Sequence, residues 1–287
     1  MKINKIEPQG YCHGVINAIN IANKILQNND IKKPIYFLGS IIHNSHVIKD
    51  FEEKGIITID EKGKSRLELL DMIDEGTVIF SAHGVSPQVY KKAMEKGVNI
   101  IDATCPMVKL VHNKMDKYLN LGYECIYIGT KNHPECEGVL GISDKIHFVT
   151  SVSDINNLNI TSSSIYVTNQ TTLSIYDIKD IFNELKNKYP SILIDDKICN
   201  ATTIRQEAMA NQKKVDLCIV VGDTKSSNTK KLVKVSNEHA HINTILCEDL
   251  KSLDKSLLKN VKSISISSGA STPPYLVDEI IDYIKKL

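Results

Sequence analysis

The feature that most constrains the fold is a pattern that recurs three times along the chain at nearly equal intervals. Cys12, Cys105 and Cys199 lie 93 and 94 residues apart in a chain of 287 residues, so each interval is close to a third of the chain. An apolar, strand-like run precedes Cys105 (VNIIDATC) and Cys199 (SILIDDKIC), and a less apolar segment precedes Cys12. A helical pattern follows each cysteine. Self-similarity at a fixed period predicts a fold built from copies of one structural unit.

A second set of strand-like runs repeats with the same period. The runs IYFLGS, CIYIGT and CIVVGD each contain a glycine next to their last residue, at spacings of 90 and 93 residues, namely Gly39, Gly129 and Gly222. Short β-branched strands that alternate with helical periods indicate parallel βαβ units. We therefore expect an α/β fold with three similar small α/β lobes, arranged as a pseudo-threefold trefoil around a central metal site. The expected lobes are residues 1–104, 105–197 and 198–287, and each carries one of the three cysteines.

The three cysteines are candidate ligands of a metal centre. Ligands of open parallel sheets bind at the carboxyl ends of the strands, so three such ends could direct one thiolate each to a common point. A Cys₃ set suits zinc or an iron–sulfur cluster. Zinc sites usually take two ligands from one short loop, so the wide spacing here favours a cluster. The other cysteines that lie in apolar runs are expected to be buried core residues, namely Cys125, Cys218 and Cys247.

Polar residues that follow predicted strands are candidates for a binding site. Three histidines lie just beyond strands and beside Gly, Asn or Pro, namely His43, His83 and His133. The loop 222–228 (GDTKSSN) leads into a helix and offers hydroxyl, amide and backbone N–H groups that suit phosphate oxygens. The segment 267–272 has the same character, although a Ser or Thr there would cap the next helix in any case. Glu135 is a candidate proton source, with an exposed loop carboxylate as the alternative interpretation.

The composition excludes several functional classes. With 35 basic and 34 acidic side chains, the net charge of +1 creates no field that would attract nucleic acid or an anionic membrane surface. No apolar run approaches the 18 residues or so that a membrane span requires. Seven scattered cysteines without a C-x-x-C motif indicate a reducing compartment. We expect a cytoplasmic protein, or one from the lumen of a plastid-like organelle if a leader was removed.

The chain resembles a known family in its order of short motifs. GYCHGV, HN at 43–44, SAHGVS, DATCP, HPECEG, TNQTTLS, CNATTIRQEA, SSN and GASTP run from about residue 3 to 285. They are similar, in this order, to the family of 4-hydroxy-3-methylbut-2-enyl diphosphate reductases, called LytB or IspH. The resemblance implies one 4Fe–4S cluster with three cysteine ligands and an open fourth iron. It also implies a two-electron reductive dehydroxylation that ends the non-mevalonate isoprenoid pathway. The substrate would be (E)-4-hydroxy-3-methylbut-2-enyl diphosphate, and the products isopentenyl and dimethylallyl diphosphate.

Motif by motif, the resemblance assigns roles to residues of this chain. The cluster ligands would be Cys12, Cys105 and Cys199. The residues that would hold the small-molecule allylic diphosphate are His43, His83, His133, Ser226, Ser227, Asn228 and Ser271. Glu135, Thr171 and His133 would serve the chemistry near the substrate hydroxyl. The electron donor would be of the ferredoxin or flavodoxin type. Departures from the family pattern are His13, Cys136 and Asp223.

Three other functions compete with this interpretation. A quinolinate-synthase-like dehydratase would use the same kind of cluster without net electron uptake, but HPECEG and QTTLS argue against it. A non-enzymatic iron–sulfur sensor would need a DNA-binding or partner-binding element, for which the near-neutral charge and the absence of an extra domain give no support. A Cys₃ zinc hydrolase is disfavoured by the spacing of the cysteines.

Overall fold

The computed structural model describes all residues from 1 to 287 and contains twelve strands and ten α-helices. The strands are β1 (Lys2–Lys5), β2 (Ile35–Leu38), β3 (Ile56–Ile59), β4 (Thr77–Phe80), β5 (Asn99–Asp102), β6 (Glu124–Ile128), β7 (Ile146–Val149), β8 (Ile165–Asn169), β9 (Leu193–Ile194), β10 (Leu217–Val221), β11 (Thr244–Cys247) and β12 (Ser263–Ser268). The helices are α1 (His13–Gln27), α2 (Ser45–Glu53), α3 (Arg66–Asp71), α4 (Pro87–Glu95), α5 (Pro106–Asn120), α6 (Pro134–Leu140), α7 (Ile175–Lys188), α8 (Asn200–Ala210), α9 (Ser227–Val235) and α10 (Pro274–Lys285). Short 3₁₀-helical segments lie at Val152–Asn157 and Lys255–Leu258, and one π-helical turn lies at Ser236–Ala240. None of the helices combines the length and the apolar character that crossing a membrane requires.

The strands form three separate sheets of four, and every neighbouring pair is parallel. The first sheet has the order β3-β2-β4-β5, and the second has the order β7-β6-β8-β9. The third sheet has the order β11-β10-β12-β1. The three orders are the same if β1 is counted as the fourth strand of the third sheet. The predicted α/β fold of three similar parallel-sheet lobes is therefore confirmed.

The third sheet is completed by the N-terminal strand. β1 pairs in parallel with β12, so that Lys2 lies opposite Ser263 and Lys5 lies opposite Ile266. The fourth strand of each sheet is thus the one that precedes a cysteine: β5 before Cys105, β9 before Cys199 and β1 before Cys12. The lobe boundaries after residues 104 and 197 stay predictions.

The chain divides into two compact units. One, here called the one-sheet unit, contains residues 1–13, 43–47 and 199–287 and includes the third sheet. The other, here called the two-sheet unit, contains residues 14–42 and 48–198 and includes the first and second sheets. The third sheet packs its apolar residues against α10, and each of the other sheets has an apolar core of its own.

The central strands explain why these cores form. β4 (TVIF), β8 (IYVTN) and β10 (LCIVV) are buried along their whole length. Such continuous buried runs are typical of parallel strands that are covered on both faces. The prediction that Cys125, Cys218 and Cys247 are core residues is confirmed, since all three are buried.

Candidate active site

The three candidate ligand cysteines occupy equivalent places in the three sheets. Each follows the fourth strand of its sheet and directly precedes a helix, which is α1 for Cys12, α5 for Cys105 and α8 for Cys199. The Cys12 amide donates to the carbonyl of Ala270 at 2.9 Å, and the Cys105 amide donates to that of Ala82 at 3.0 Å. Ala270 and Ala82 each lie two residues beyond the end of the neighbouring strand. A helix N-terminus stabilises a thiolate, so the fold places three partly exposed thiols where negative charge is favoured.

The three candidate ligands are partly exposed, unlike the other cysteines of the chain. No cysteine takes part in a disulfide, and the other four are buried. No three His, Cys, Asp or Glu side chains are grouped closely enough to hold a single metal ion. The assignment of the cysteines as ligands therefore rests on their equivalent positions.

In the one-sheet unit, a buried arginine links the segments of two cysteines. Arg205 on α8 is 4% exposed. Its Nη2 donates to the Gly10 carbonyl at 2.9 Å and its Nη1 donates to the Ala201 carbonyl at 3.0 Å. Burial lowers the pKa of Arg205, and electrostatic interaction with Cys12, Cys199 and Glu7 opposes this effect. The guanidinium thus lies in the electrostatic reach of both sulfur atoms.

The loop that precedes α9 contains an amide group that has no partner in the protein. Ser226 caps α9, because its hydroxyl accepts a hydrogen bond from the Thr229 amide at 3.3 Å. Asn228, in the first turn, is only 5% exposed, and neither its Oδ1 nor its Nδ2 has a hydrogen-bond partner. A buried polar group without a partner costs about 1–3 kcal/mol. Such a group at a helix N-terminus is suited to binding a polar ligand.

Hydrogen bonds bring three predicted binding segments together within the one-sheet unit. Asp223 Oδ2 accepts from the Ser45 amide at 2.9 Å, and Asp223 Oδ1 accepts from the Lys225 amide at 2.7 Å. The Ser271 hydroxyl donates to the His43 carbonyl at 2.8 Å. The segment of His43, the SSN loop and Ser271 are therefore neighbours, as a common binding site requires. Asp223, a departure from the family pattern, holds the first two in place.

In the two-sheet unit, the other two predicted histidines lie side by side. The rings of His83 and His133 are 5.7 Å apart and nearly perpendicular, at 88°. His133 is 8% exposed and caps α6, because its Nδ1 accepts a hydrogen bond from the Glu135 amide at 3.1 Å. This bond leaves the proton of a neutral imidazole on Nε2. His133 can therefore donate a hydrogen bond from Nε2 to an anionic ligand.

Glu135 is buried and bonded to Thr171. Its side chain is 1% exposed, so the interpretation as an exposed loop carboxylate is wrong. Oε1 accepts from the Thr171 amide at 2.8 Å, and Oε2 accepts from the Thr171 hydroxyl at 3.0 Å. Burial raises the pKa of Glu135 to about 7, although the two hydrogen bonds from Thr171 lower it. At neutral pH, a carboxyl group of this kind can both hold and release a proton.

The predicted site residues lie at two kinds of equivalent position in the repeated units. Thr171, His83 and Ser271 each lie two or three residues beyond the third strand of their chain segment, which is β8, β4 or β12. His133 and Ser226 each cap the helix that follows the first central strand. The repeat thus supplies equivalent positions for polar groups as well as for cysteines.

Two histidines outside the predicted site have carboxylate partners. Nε2 of His147 lies 3.1 Å from Oε2 of Glu124, and Nε2 of His46 lies 3.4 Å from Oδ2 of Asp249. Burial lowers the pKa of His112, a third member of this group, to about 4.

Sequence reasoning missed Arg66. Its backbone amide donates to Glu137 Oε1 at 2.6 Å and its Nη1 lies 3.3 Å from Glu137 Oε2. Glu137 is on α6, the helix that carries Glu135, so Arg66 fixes the position of this helix within the two-sheet unit. One signal was present in the sequence: of 35 basic residues only Arg66 and Arg205 are arginines.

Comparison with known proteins identifies the family. The family model described as LytB protein matches residues 3–285. The chain is 46% identical to 4-hydroxy-3-methylbut-2-enyl diphosphate reductase of Geobacillus kaustophilus, over 100% of this chain and 90% of that protein. It is 44% identical to the enzyme of the same name from Brevibacillus brevis, over 100% of this chain and 92% of that protein.

Solved structures agree with this match. The E-1-hydroxy-2-methyl-but-2-enyl-4-diphosphate reductase of Plasmodium falciparum is similar with a TM-score of 0.91 and 36% identity, over 98% of this chain and 87% of that one. A structure of (E)-4-hydroxy-3-methyl-but-2-enyl diphosphate reductase, described as the terminal enzyme of the non-mevalonate pathway, is similar with a TM-score of 0.69 and 31% identity, over 100% of this chain and 99% of that one. With a family match over nearly its whole length and relatives of this similarity, the chain belongs to the LytB family.

Proposed function

We propose that this protein is a 4-hydroxy-3-methylbut-2-enyl diphosphate reductase, the last enzyme of the non-mevalonate isoprenoid pathway. It is an iron–sulfur oxidoreductase, as LytB proteins are. The substrate takes up two electrons and two protons, loses its C4 hydroxyl as water, and gives isopentenyl and dimethylallyl diphosphate. The observation that carries the proposal is the full-length match to relatives of this one name.

We assign one 4Fe–4S cluster to Cys12, Cys105 and Cys199, with the fourth iron left open. Support comes from the equivalent positions of the three thiols, their partial exposure and the helix N-termini beside them. Their thiolate chemistry fits such a cluster. When bound, the cluster supplies the electrons and a Lewis-acidic iron to the site.

The diphosphate is assigned to the polar residues that match the family motifs. The one-sheet unit offers the segment of His43, the SSN loop (Ser226, Ser227 and Asn228) and Ser271. The two-sheet unit offers His83 and His133. The unpartnered amide of Asn228 and the Nε2 proton of His133 are donors suited to phosphate oxygens.

Proton supply is assigned to Glu135 and Thr171. The Thr171 hydroxyl donates to the carboxylate of Glu135, and it can turn to pass a proton to the leaving substrate hydroxyl once Glu135 is protonated. Because burial brings the pKa of Glu135 to about 7, this reservoir is partly filled at neutral pH. The electrons are expected to come from a ferredoxin- or flavodoxin-type donor.

A turnover measurement tests the proposal. Anaerobically purified protein, reduced with dithionite and a small viologen mediator, should convert the hydroxylated diphosphate into the two products, to be identified by mass spectrometry. Omitting the reductant should stop product formation, since the reaction consumes two electrons. Iron-loaded protein that binds the substrate but yields neither product would refute the proposed activity, and dehydration without reductant would favour the dehydratase alternative.

A further inference from the structure

The two arginines of this chain differ from its lysines in their burial. The sequence has 35 basic residues, and only Arg66 and Arg205 are arginines. Both are buried, at 9% and 4% exposure, and no lysine is buried. A guanidinium group differs from an ammonium group in its planar fork of five N–H donors, its lasting charge and its weaker hydration. The burial of both arginines therefore indicates that these two positions depend on the planar set of N–H donors that a guanidinium provides.

The guanidinium of Arg205 donates hydrogen bonds to backbone carbonyls near two of the candidate cysteines. Its Nη2 donates to the carbonyl of Gly10, two residues before Cys12. Its Nη1 donates to the carbonyl of Ala201, two residues after Cys199. One side chain thus ties the segment that ends in Cys12 to the helix that begins after Cys199.

The segment that Arg205 holds is fixed from other directions as well. The Gly10 amide donates to the Ser268 hydroxyl at 2.8 Å, and the Cys12 amide donates to the Ala270 carbonyl at 2.9 Å. Arg205 also interacts electrostatically with Cys12, Cys199 and Glu7. Its Nε is buried without a hydrogen-bond partner, so the two hydrogen bonds to backbone carbonyls do not use all the donors of the guanidinium.

We propose that Arg205 is a positioning residue for Cys12 and Cys199, and that its fixed positive charge raises the reduction potential of the cluster they hold. This inference rests on the proposed function, because it takes the two cysteines as ligands. Three thiolates give such a centre negative charge, and an added electron increases it. A cation held nearby in a poorly solvated place stabilises the reduced form more than the oxidised form.

Lysine at this position would keep the charge but lose the link. An ammonium group is a point charge on a flexible stem, and it cannot reproduce two bonds from a rigid plane. Methionine would keep much of the length and the apolar contacts while removing the charge. The two substitutions therefore separate the effect of the charge from the effect of the hydrogen bonds.

The experiment uses anaerobic holoprotein of the parent and of Arg205→Met, Arg205→Lys and the matched control Arg66→Met. The midpoint potential is measured by redox titration followed by electron paramagnetic resonance, and iron release to a chelator is followed optically. Arg205→Met should have a more negative potential and should release iron about tenfold faster or more, as expected for loss of an outer partner of metal ligands. Arg205→Lys should keep the parent's potential but release iron faster. Arg66→Met should match the parent in both.

Each other outcome overturns the inference. Parent-like potential and iron release in Arg205→Met would remove any role of Arg205 at the cluster. Equal shifts in Arg205→Lys and Arg205→Met would remove the role of the charge, and equal shifts in Arg66→Met would show a general loss of stability instead. If Arg205→Met does not retain a cluster, a potential of Arg205→Lys that differs from the parent's would overturn the role of the charge. A parent protein without iron after anaerobic reconstitution would refute the cluster itself, and this result is distinct from all the others.

Discussion

The carboxylate of Glu135 is held by two hydrogen bonds from one residue, Thr171. The Thr171 amide lies 2.8 Å from Oε1 and its hydroxyl lies 3.0 Å from Oε2. Both side chains are buried, at 1% and 4% exposure. The pair therefore fixes the orientation of a carboxyl group whose pKa burial raises to about 7. A proton donor with such a pKa is matched to work at neutral pH.

Replacing Glu135 by Gln should separate binding from chemistry. The amide keeps the size of the carboxyl group but supplies no proton, so turnover should fall by about 10²-fold or more. Iron content and diphosphate affinity should stay close to those of the parent, because neither is assigned to Glu135. Single-turnover rates and substrate affinity measured on the same anaerobic samples give the comparison. Glu95→Gln, an exposed glutamate on α4, is the control and should retain most of the turnover.

The dependence of turnover on pH should follow the ionisation of Glu135. If the protonated form is the active one, the rate should be high below pH 7 and should decline as the pH rises through about 7. Thr171→Val removes the assigned proton relay and a hydrogen bond that lowers this pKa, so turnover should fall and the declining limb of what remains should move to higher pH. Thr171→Ser should restore both. Rate profiles of the three proteins between pH 5 and 9 check this. A limb that stays in place in Thr171→Val would argue that another group titrates.

The ionisation of Glu135 should make the free energy of unfolding fall as the pH rises. The pKa of Glu135 is higher in the folded protein than its ordinary value of 4.5, so between about pH 4.5 and 7 the folded state binds more protons than the unfolded state. Its contribution to stability is therefore present below pH 4.5 and is lost as the pH rises through about 7. Glu135→Gln should lack this decline, so its stability relative to the parent should increase as the pH rises from about 4.5 to about 7. Denaturant unfolding at several pH values measures the difference.

Asn228→Leu should make the ligand-free protein more stable and bind the diphosphate less well. The buried amide has no partner in the protein, so an apolar side chain of similar size should raise the free energy of unfolding by about 1–3 kcal/mol. Asn44→Leu is the control, because Asn44 accepts a hydrogen bond from the Val47 amide at 3.1 Å. Loss of this helix cap should lower stability by about 1 kcal/mol. A destabilised Asn228→Leu protein with unchanged affinity would remove Asn228 from the binding site.

The threefold pattern was readable from the sequence because strands, helices and their polar ends recur at a regular spacing. The helices after Cys12, Cys105 and Cys199 are confirmed as α1, α5 and α8. The pairing of β1 with β12 was not readable, since it joins the two ends of the chain and no local pattern specifies such a contact.

The chemistry of single side chains was less readable than their positions. Strand-end placement indicated that Glu135 belongs to a site, but the burial that raises its pKa and its hydrogen bonds with Thr171 exist only in the folded protein. In the same way, the motif SSN indicated an anion-binding loop, whereas the unpartnered amide of Asn228 is a property of the packing around it. Arg205 gave a signal through composition alone, and its link to Gly10 required the fold.

Iron content per chain in a series of cysteine variants tests the central claim most directly. Cys12→Ser, Cys105→Ser and Cys199→Ser are each prepared anaerobically beside Cys125→Ser and Cys218→Ser, whose parent thiols are buried in the core. The account predicts close to four iron atoms in the parent and in the two core variants, and loss of the intact cluster in each of the other three. Loss of the cluster in Cys218→Ser together with its retention in Cys105→Ser would contradict the assignment of the three equivalent cysteines as its ligands.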